Sequence, residues 1–240
     1  MPEMNAVDIA AVAVVVPAND EEQLLHRSLS AIEVARTTLL DDRPGLQVDV
    51  VVVLDACCDG SAAIARGFAV QAVEIDARCV GIARAVGATR AAASLHPVPI
   101  DRSWMACTDA DTVVPPDWLT HQVAAAESGA DFVLGRVRPD PRDLDAETQQ
   151  LWWEQHRSTG QGVHVHGANL GVRLDAYVAV GGFEPLPEHE DVVLVSRLRA
   201  QGLRPAAGRE VVTSGRLHGR VDGGFAGYLR DLRALDDPVA

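Results

Sequence analysis

Apolar runs alternate with longer amphipathic segments along the first 138 residues of the chain. The runs are rich in Val and Ala, which is typical of strands covered on both faces, and between them apolar residues recur at helical spacing. They predict strands over Ile9–Val16, Val48–Leu54, Val70–Ile75, Trp104–Thr108 and Phe132–Val137, and helices over Glu21–Leu40, Ser61–Ala69, Gly81–Ser94 and Pro116–Gly129. This order predicts an α/β fold with a doubly wound, mostly parallel sheet and helices on both faces.

The second half of the chain has a less regular pattern, and we expect it to complete the same single domain. Prolines and arginines alternate at Arg138–Arg142, which predicts a hinge between the halves 1–138 and 139–240. A loop rich in Gly and His is predicted at Gly160–Gly171, and helices are predicted over Leu144–His156, Leu174–Val180, Val192–Gln201 and Phe225–Leu235.

Composition and net charge limit the kinds of molecule that the protein is expected to bind. Hydrophobic residues make up 48% of the 240 residues, enough for a sizeable core. The formal charge of −13, from 21 basic and 34 acidic side chains, argues against nucleic acid as a partner. The longest apolar run, Ile9–Val16, is far shorter than the about 20 residues of a membrane span. The start of the chain also lacks signal-peptide features, so we expect a cytoplasmic protein without a transmembrane segment.

The four cysteines do not form a recognisable framework. Cys57 and Cys58 are adjacent, whereas Cys79 and Cys107 stand alone, so neither zinc spacing nor disulfide spacing is present. We expect all four to be small buried hydrophobic residues. The sequence leaves open whether the chain forms a homo-oligomer.

Acidic residues follow three of the predicted strands. Asp20 and Glu21 come after the first strand, Asp55 after the second, and Asp109 and Asp111 after Trp104–Thr108. Each alone is explained by helix capping, which favours acidic side chains at these places. Because ligands bind at the carboxyl ends of parallel strands, the three acidic strand ends together predict a ligand site.

The two carboxylates of Asp109-Ala110-Asp111 predict a cation. In an extended chain, residues two apart project to the same side, so the two charges repel unless a cation lies between them or one is protonated. Oxygen ligands suit Mg²⁺ or Mn²⁺. Such an ion would let an acidic protein bind a diphosphate and would stabilise it as a leaving group.

Six short motifs, in order between about residues 10 and 205, resemble those of family 2 glycosyltransferases with the GT-A fold. They are Val14-Val15-Val16-Pro17-Ala18 with Asp20-Glu21-Glu22; Val53-Leu54-Asp55 with Asp59-Gly60-Ser61; Gly81-Ile82-Ala83-Arg84 with Gly87; Asp109-Ala110-Asp111; Gly167-Ala168-Asn169; and Gly181-Gly182-Phe183 with Glu190-Asp191. The resemblance implies a GT-A domain with a nucleotide-binding half (about 1–138) and an acceptor-binding half (about 139–240).

The resemblance also implies roles for individual residues. Pro17, Asp20, Glu21, Asp55 and Asn169 would bind the nucleotide-diphosphate sugar donor. Arg84 would lie near the phosphates or the base, with a surface salt bridge as the alternative. Asp111 would bind the metal ion, with Asp109 on the ribose or the donor sugar or as a second ligand.

In inverting members of the family, the residue at Asp191 takes the proton of the acceptor hydroxyl, with Glu190 beside it. General base catalysis suits a carboxylate within hydrogen-bond reach of that hydroxyl. Helix capping is the alternative for both residues. The resemblance leaves open whether configuration is inverted or retained.

Several residues depart from the family pattern. Asp20 stands where Asn is usual, Ala56-Cys57-Cys58 replaces an Asp-Gly-Ser-Thr stretch, and Ala85 replaces an Asn. These departures leave the nucleotide and the sugar open. Processive synthases of the family carry a Gln-x-x-Arg-Trp motif. Here the segment Gln201-Gly202-Leu203-Arg204 is followed by Pro205 and not by Trp, so transfer of a single sugar is expected.

Late polar residues give further candidates. His218 is the candidate third metal ligand, with His189 as the substitute, and Arg216 and Arg220 would neutralise the released diphosphate. The pair His164 and His166 is expected to be surface or packing. The acceptor, whether a small molecule, a lipid or a glycan, is not identified by the sequence.

Two other functions remain. One is a non-catalytic protein that binds a nucleotide sugar, and the other is a sugar nucleotidyltransferase. The second requires a Gly-rich basic loop after the first strand, and Pro17–Glu22 is not such a loop.

Overall fold

A computed structural model of the protein describes residues 7–158, 165–219 and 224–234. In chain order its strands are β1 (Ala11–Ala18), β2 (Gln47–Asp55), β3 (Gln71–Ile75), β4 (Ser103–Cys107), β5 (Thr112–Val113), β6 (Phe132–Leu134), β7 (Val137–Pro139), β8 (Leu170–Arg173), β9 (Pro205–Ala207) and β10 (Val211–Thr213). The helices are α1 (Leu25–Asp42), α2 (Ser61–Arg66), α3 (Val80–Ser94), α4 (Trp118–Glu127), α5 (Ala146–Ser158), α6 (Leu174–Ala179), α7 (Glu190–Ala200) and α8 (Phe225–Ala234).

The main sheet has seven strands in the order β3-β2-β1-β4-β8-β6-β9. The pairs β3-β2, β2-β1, β1-β4 and β6-β9 are parallel, whereas β8 runs antiparallel to both β4 and β6. A smaller sheet has the order β5-β10-β7. The mostly parallel sheet predicted from the apolar runs is therefore confirmed.

Helices cover both faces of the main sheet, as predicted. Alternate residues of β1 point to opposite faces, so Val12, Val14 and Val16 belong to one core and Ala11, Ala13 and Val15 to the other. The first core also contains apolar residues of α1, α2 and α4, and the second contains those of α3, α6 and α7. Both faces of β1 are buried, which explains its unbroken apolar run.

A third, smaller cluster joins α5 to α8 beside the sheet. Trp152, Leu229 and Leu232 are buried there, with Phe225 and Tyr228 packed around them. Trp152 is 5% exposed whereas its neighbour Trp153 is 53% exposed, so only the first of this pair belongs to a core.

Some predicted boundaries were wrong. The first helix begins at Leu25 and not at Glu21, since residues 22–24 form a turn. The N–H groups of Glu21 and Glu22 donate there to Ser61 Oγ and to the Asp59 carboxylate. The strand predicted over Phe132–Val137 is divided at Gly135, whose N–H donates to the Asn169 carbonyl, so that the chain leaves the main sheet and enters the smaller one.

The segment predicted as a loop, Gly160–Gly171, includes the start of a strand. Its last two residues begin β8, which lies between β4 and β6 in the main sheet. The predicted hinge Arg138–Arg142 contains the end of β7 and the start of a 3-10 turn, and the buried Asp140 carboxylate pairs there with Arg27 and Arg142.

The cysteine prediction holds for one residue. Cys107 is buried, whereas Cys57 and Cys79 are half-buried and Cys58 is exposed, so the prediction for these three was wrong. All four thiols are free. No helix in the described parts of the chain combines the length and apolarity needed to cross a membrane.

Candidate active site

A cavity of about 570 Å³ lies at the carboxyl ends of β1, β2 and β4. It is lined by nine of the donor-binding, metal-binding and catalytic residues predicted from sequence, which come from five separate parts of the chain: Pro17, Asp20, Glu21, Asp55, Arg84, Asp109, Asp111, Glu190 and Asp191. Asn169 and His218 are not among the lining residues. The main sheet thus brings distant acidic residues to one site, as expected for parallel strand ends.

Asp55 organises one end of the cavity. It is 4% exposed, and its carboxylate accepts hydrogen bonds from the backbone N–H groups of Ala77 (2.7 Å), Arg78 (2.8 Å) and Cys79 (2.8 Å). These bonds fix the segment that leads from β3 into α3. The sequence assigned Asp55 to donor binding and did not indicate this second role.

Arg84 lies at the centre of the site and is 4% exposed. Its guanidinium forms ion pairs with Asp109, after β4, and with Glu190, at the start of α7. Burial by itself lowers the pKa of Arg84, yet Asp109 and Glu190 raise it above its ordinary value. The alternative of a surface salt bridge for Arg84 was therefore wrong.

The acidic residues near β1 and β4 share a second arginine. Arg216 donates to both carboxylate oxygens of Glu21, at 2.6 and 2.8 Å, and its Nη2 lies 3.0 Å from Asp111 Oδ2. Asp111 Oδ1 accepts a hydrogen bond from Thr213 Oγ1 at 3.1 Å. Burial raises the pKa of Asp111 to about 6, with a further rise from Asp109, and Arg216 opposes the rise.

Glu190 and Asp191 have different surroundings although they are adjacent. The Glu190 side chain is 3% exposed and paired with Arg84, and burial raises its pKa. Asp191 is half-buried, and its two carboxylate oxygens accept hydrogen bonds from the N–H of Gly167 and from the N–H of Val192, the latter at 2.7 Å. The backbone therefore orients Asp191 while leaving part of it accessible from the cavity.

Backbone strain is concentrated around the cavity. Among the described residues, the non-glycine residues with positive φ are Asp20 (50°), Ala56 (53°), Arg78 (50°) and His189 (65°). All four line the cavity. Residues in this left-handed region cost free energy, and such residues cluster at functional sites.

Two predicted residues lie away from the cavity surface. Asn169 is 1% exposed, its Oδ1 accepts from Trp118 Nε1, and its Nδ2 donates to the carbonyls of Arg136 and Arg209. His218 is exposed. His164 and Arg220 lie outside the described residues.

Within the described parts of the chain, one trio of side chains brings its ligand atoms within 4.8 Å of one another, namely Asp20, Cys57 and Asp59. Both Asp59 oxygens already accept from the backbone, at Glu22 and Ser61, and Asp20 Oδ1 accepts from the N–H of Cys58. This trio therefore stabilises the loops after β1 and β2.

Sequence reasoning missed two parts of the site. The N–H of Gly167 holds Asp191, and a backbone amide leaves no signal in the sequence. Phe225 and Ala226, at the start of α8, also line the cavity. The packing of α8 on α5 places these two residues at the cavity, and no pattern in the nearby sequence predicts that packing.

Solved structures share this fold. The chain matches the crystal structure of S. aureus TarS with a TM-score of 0.61 and 14% identity, covering 85% of this chain and 36% of that one. A shorter form of TarS in complex with UDP gives a TM-score of 0.62 at 14% identity, covering 96% of this chain and 67% of that one. Glucosyl-3-phosphoglycerate synthase from Mycobacterium tuberculosis, in complex with Mn²⁺ and UDP-glucose, gives a TM-score of 0.58 at 15% identity. The match covers 94% of this chain and 76% of that one.

The neighbours show the fold of this chain, and a sequence model shows its family. At such identities the likeness shows the fold alone, and that fold is the GT-A type expected from the motifs. A sequence model described as glycosyl transferase family 2 matches residues 13–177, more than half of the chain. The chain therefore belongs to glycosyl transferase family 2, and the resemblance seen in its motifs is confirmed. A comparison with curated protein sequences gives no match.

Proposed function

We propose that the protein transfers one sugar from a nucleoside-diphosphate sugar to a hydroxyl group of an acceptor. The observation that carries this proposal is the single cavity into which Asp55, the Asp109–Asp111 pair and Asp191 all project. Family membership supports the proposal, and so do the neighbours crystallised with UDP and with UDP-glucose.

The strand order suggests how a donor would lie. Adjacent strands are about 4.8 Å apart, so β2 and β8 are separated by roughly 14 Å across β1 and β4. The nucleoside would bind near Asp55, at the β2 end, and the diphosphate near Asp109 and Asp111, after β4. The sugar would then point toward Asp191, at the start of α7.

The residues present fit a divalent cation. Glu21 and Asp111 share the single positive charge of Arg216, and Asp109 shares Arg84 with Glu190, so these four carboxylates have two arginines between them. We propose Asp111 and Asp109 as ligands of Mn²⁺ or Mg²⁺, since both prefer oxygen ligands. A bound ion would neutralise the charge that develops on the leaving diphosphate. A neighbour was crystallised with Mn²⁺.

We propose Asp191 as the general base of an inverting transfer. The acceptor oxygen forms a bond with the anomeric carbon while the bond from that carbon to the diphosphate breaks, and the hydroxyl proton passes to Asp191. The N–H groups of Gly167 and Val192 hold the carboxylate in a fixed orientation for this step. Glu190 and Arg84 act as positioning residues, because they pair with each other behind Asp191.

The test uses Asp191→Asn and a matched control. In the variant, release of nucleoside diphosphate from a panel of UDP-, GDP- and dTDP-sugars with Mn²⁺ should fall about 10²–10⁴-fold, because a general base contributes about this factor. Nucleotide affinity, measured by calorimetry, should be unchanged. Asp175→Asn is the control, since Asp175 also lies in the first turn of a helix and accepts the N–H of the next residue at 2.7 Å.

Two outcomes would contradict the proposal. If Asp191→Asn turns over as fast as the unaltered protein, Asp191 is not the base. If the unaltered protein binds nucleotides but releases no diphosphate from any donor, the alternative of a non-catalytic nucleotide-sugar-binding protein is favoured.

A further inference from the structure

The start of α3 lies against the segment that leads into α7. The backbone N–H of Gly81 donates to the Leu186 carbonyl at 3.1 Å. The first N–H groups of a helix have no partner within the helix, and Cys79, at the N-cap of α3, makes no capping hydrogen bond with its side chain. The Leu186 carbonyl therefore takes the place of a cap for α3.

The contact at Gly81 is too close for any side chain. A Cβ added at Gly81 would lie 2.1 Å from the Glu184 carbonyl oxygen and 2.7 Å from both the nitrogen and the oxygen of Leu186. All three are backbone atoms, so no rotation of a side chain relieves the overlap. The close approach of the two segments therefore requires a glycine at this position.

The segment that Gly81 contacts is stiff. We call residues 184–187, which read Glu-Pro-Leu-Pro, the proline segment. Each proline fixes its own φ and restricts the residue before it, so all four residues have limited backbone freedom. The Leu186 N–H also donates to the Glu184 carbonyl at 2.8 Å, and the Glu184 carboxylate forms an ion pair with Arg197, on α7. We therefore expect the proline segment to move together with α7 and not to bend locally.

On the other side of the contact, α3 is fixed to the sheet. The Asp55 carboxylate holds the three N–H groups just before α3, and Gly87 brings the helix close to Val15 of β1. A side chain at Gly81 would therefore displace the proline segment and not α3. Asp191 lies in the first turn of α7, shortly after that segment, so the displacement would reach the proposed general base.

We propose that Gly81 is a positioning residue for Asp191, an inference that rests on the proposed function. Gly81 sets how closely the proline segment approaches α3, and Arg84, one turn further along the same helix, pairs with Glu190 beside Asp191. These two contacts fix the start of α7 relative to α3. Because the start of α3 is bound to Asp55, they also fix the distance between the nucleoside end of the cavity and the proposed base.

The experiment compares Gly81→Ala with the unaltered protein, using a UDP-, GDP- or dTDP-sugar that the unaltered protein hydrolyses with Mn²⁺. Water is then the acceptor, and its proton would pass to Asp191. We expect kcat to fall about 10–100-fold, because a misplacement of about 1 Å can cost a factor of about 10². The affinity for the nucleoside diphosphate, measured by calorimetry, should stay the same, since Asp55 and the backbone that it holds are not displaced.

The control is Gly67→Ala, at the end of α2 and outside the cavity. A Cβ there meets only the Ile64 carbonyl, at 3.2 Å, so kcat and nucleotide affinity should both be unchanged.

A double-mutant cycle separates positioning of the base from a general loss of structure. If Gly81 acts through Asp191, Gly81→Ala should cause no further loss of kcat in Asp191→Asn, whereas independent effects would multiply. An unchanged kcat in folded Gly81→Ala, or effects that multiply in the cycle, would overturn the inference and leave the proposed function intact. Full activity of Asp191→Asn alone would instead overturn the proposed function, and the inference with it.

A second variant keeps the inference testable if circular dichroism shows that Gly81→Ala does not fold. Pro185→Gly loosens the proline segment at an exposed residue outside the cavity and adds no atom at the contact. A looser segment would hold Asp191 less well, so kcat should fall about 3–10-fold, and the loss should again disappear in Asp191→Asn. A folded Pro185→Gly variant with unchanged kcat would contradict the inference.

Discussion

Arg84 balances two carboxylates that the chain brings from distant positions. Asp109 follows β4 and Glu190 begins α7, and the Arg84 side chain between them is 5% exposed. Replacing Arg84 with Met keeps much of the side-chain volume but leaves Glu190 buried without its counter-charge. We expect a loss of about 3–5 kcal/mol in the free energy of unfolding, measured by urea denaturation, because a buried charge that loses its partner is strongly destabilising.

The control for this variant is an exposed ion pair. Arg66 and Glu74 pair at 3.2 Å, with side chains 66% and 68% exposed. Arg66→Met should change the free energy of unfolding by no more than about 1 kcal/mol, because solvent screens such pairs. Equal losses in the two variants would show that burial does not set the contribution of Arg84.

Arg216 occupies the position between Glu21 and Asp111 that a cation would favour. Its guanidinium contributes one positive charge beside the proposed metal ligands, so it should compete electrostatically with a divalent ion. We expect Arg216→Gln to raise the affinity for Mn²⁺ about tenfold in the absence of a donor, measured from the electron paramagnetic resonance signal of free Mn²⁺.

Arg209→Gln is the matched control for Arg216→Gln. Arg209 pairs with Asp117 at 2.7 Å on the surface and does not line the cavity. Its substitution should leave Mn²⁺ affinity unchanged. If Arg216→Gln lowers the affinity, the arginine supports the ion rather than competing with it.

At the scale of elements, the site depends on how closely α3 approaches the sheet. A Cβ added at Gly87 would lie 2.4 Å from Val15 Cγ1 and 3.2 Å from Val53 Cγ2. Both valines are fully buried and stiff at χ1, so they have little room to move. We expect Gly87→Ala to lower the free energy of unfolding by about 1–3 kcal/mol, the usual cost of overpacking, and to shift Arg84 on the same helix.

Gly45→Ala is the control, because a Cβ there meets nothing within 4 Å. Thermal unfolding of both variants would show the difference. The prediction fails if Gly87→Ala is as stable as Gly45→Ala, since α3 would then have room to retreat from β1 and β2.

The elements that the sequence predicted best are those buried on both faces. Strands β1, β2 and β4 were found because each leaves a compact apolar segment between turns, whereas β3 lies at the edge of the sheet and is exposed at alternate residues. By contrast, β8 has four residues, follows a Gly-rich stretch and runs antiparallel, so neither length nor periodicity distinguishes it from a loop. Its place in the sheet is set by pairing with β4 and β6, which local sequence does not specify.

The candidate site was predictable for a similar reason. Asp20, Asp55 and Asp109 follow apolar strands, and strand ends of a parallel sheet converge. The pairing of Arg216 with Glu21 joins residues 195 positions apart, and the approach of Gly167 to Asp191 involves only a backbone amide. Both depend on how the second half folds against the first, for which the sequence carries no periodic signal.

For the whole molecule, net charge and site chemistry act in the same direction. The chain carries −13 overall, and the described residues that line its cavity include more carboxylates than arginines. A nucleoside diphosphate alone would therefore meet a repulsive field. A divalent ion changes the sign of that interaction at the one place where the diphosphate is proposed to bind, so binding of the ion and of the nucleotide should be coupled.

This coupling predicts a metal-dependent gain in thermal stability. A ligand at 100 times its dissociation constant stabilises a folded protein by about 2.7 kcal/mol, which corresponds to roughly 5–10 °C for a chain of this size. We expect the full shift with Mn²⁺ and UDP, or with whichever nucleoside diphosphate the protein prefers, and a much smaller one with nucleotide and chelator. The Asp111→Asn variant should lose the metal-dependent part of the thermal shift, because the substitution removes a proposed metal ligand. The control is Asp101→Asn, at a position outside the cavity, which should keep the full shift. A full shift in Asp111→Asn would place the ion elsewhere, and equal shifts with and without Mn²⁺ would mean that the arginines alone hold the diphosphate.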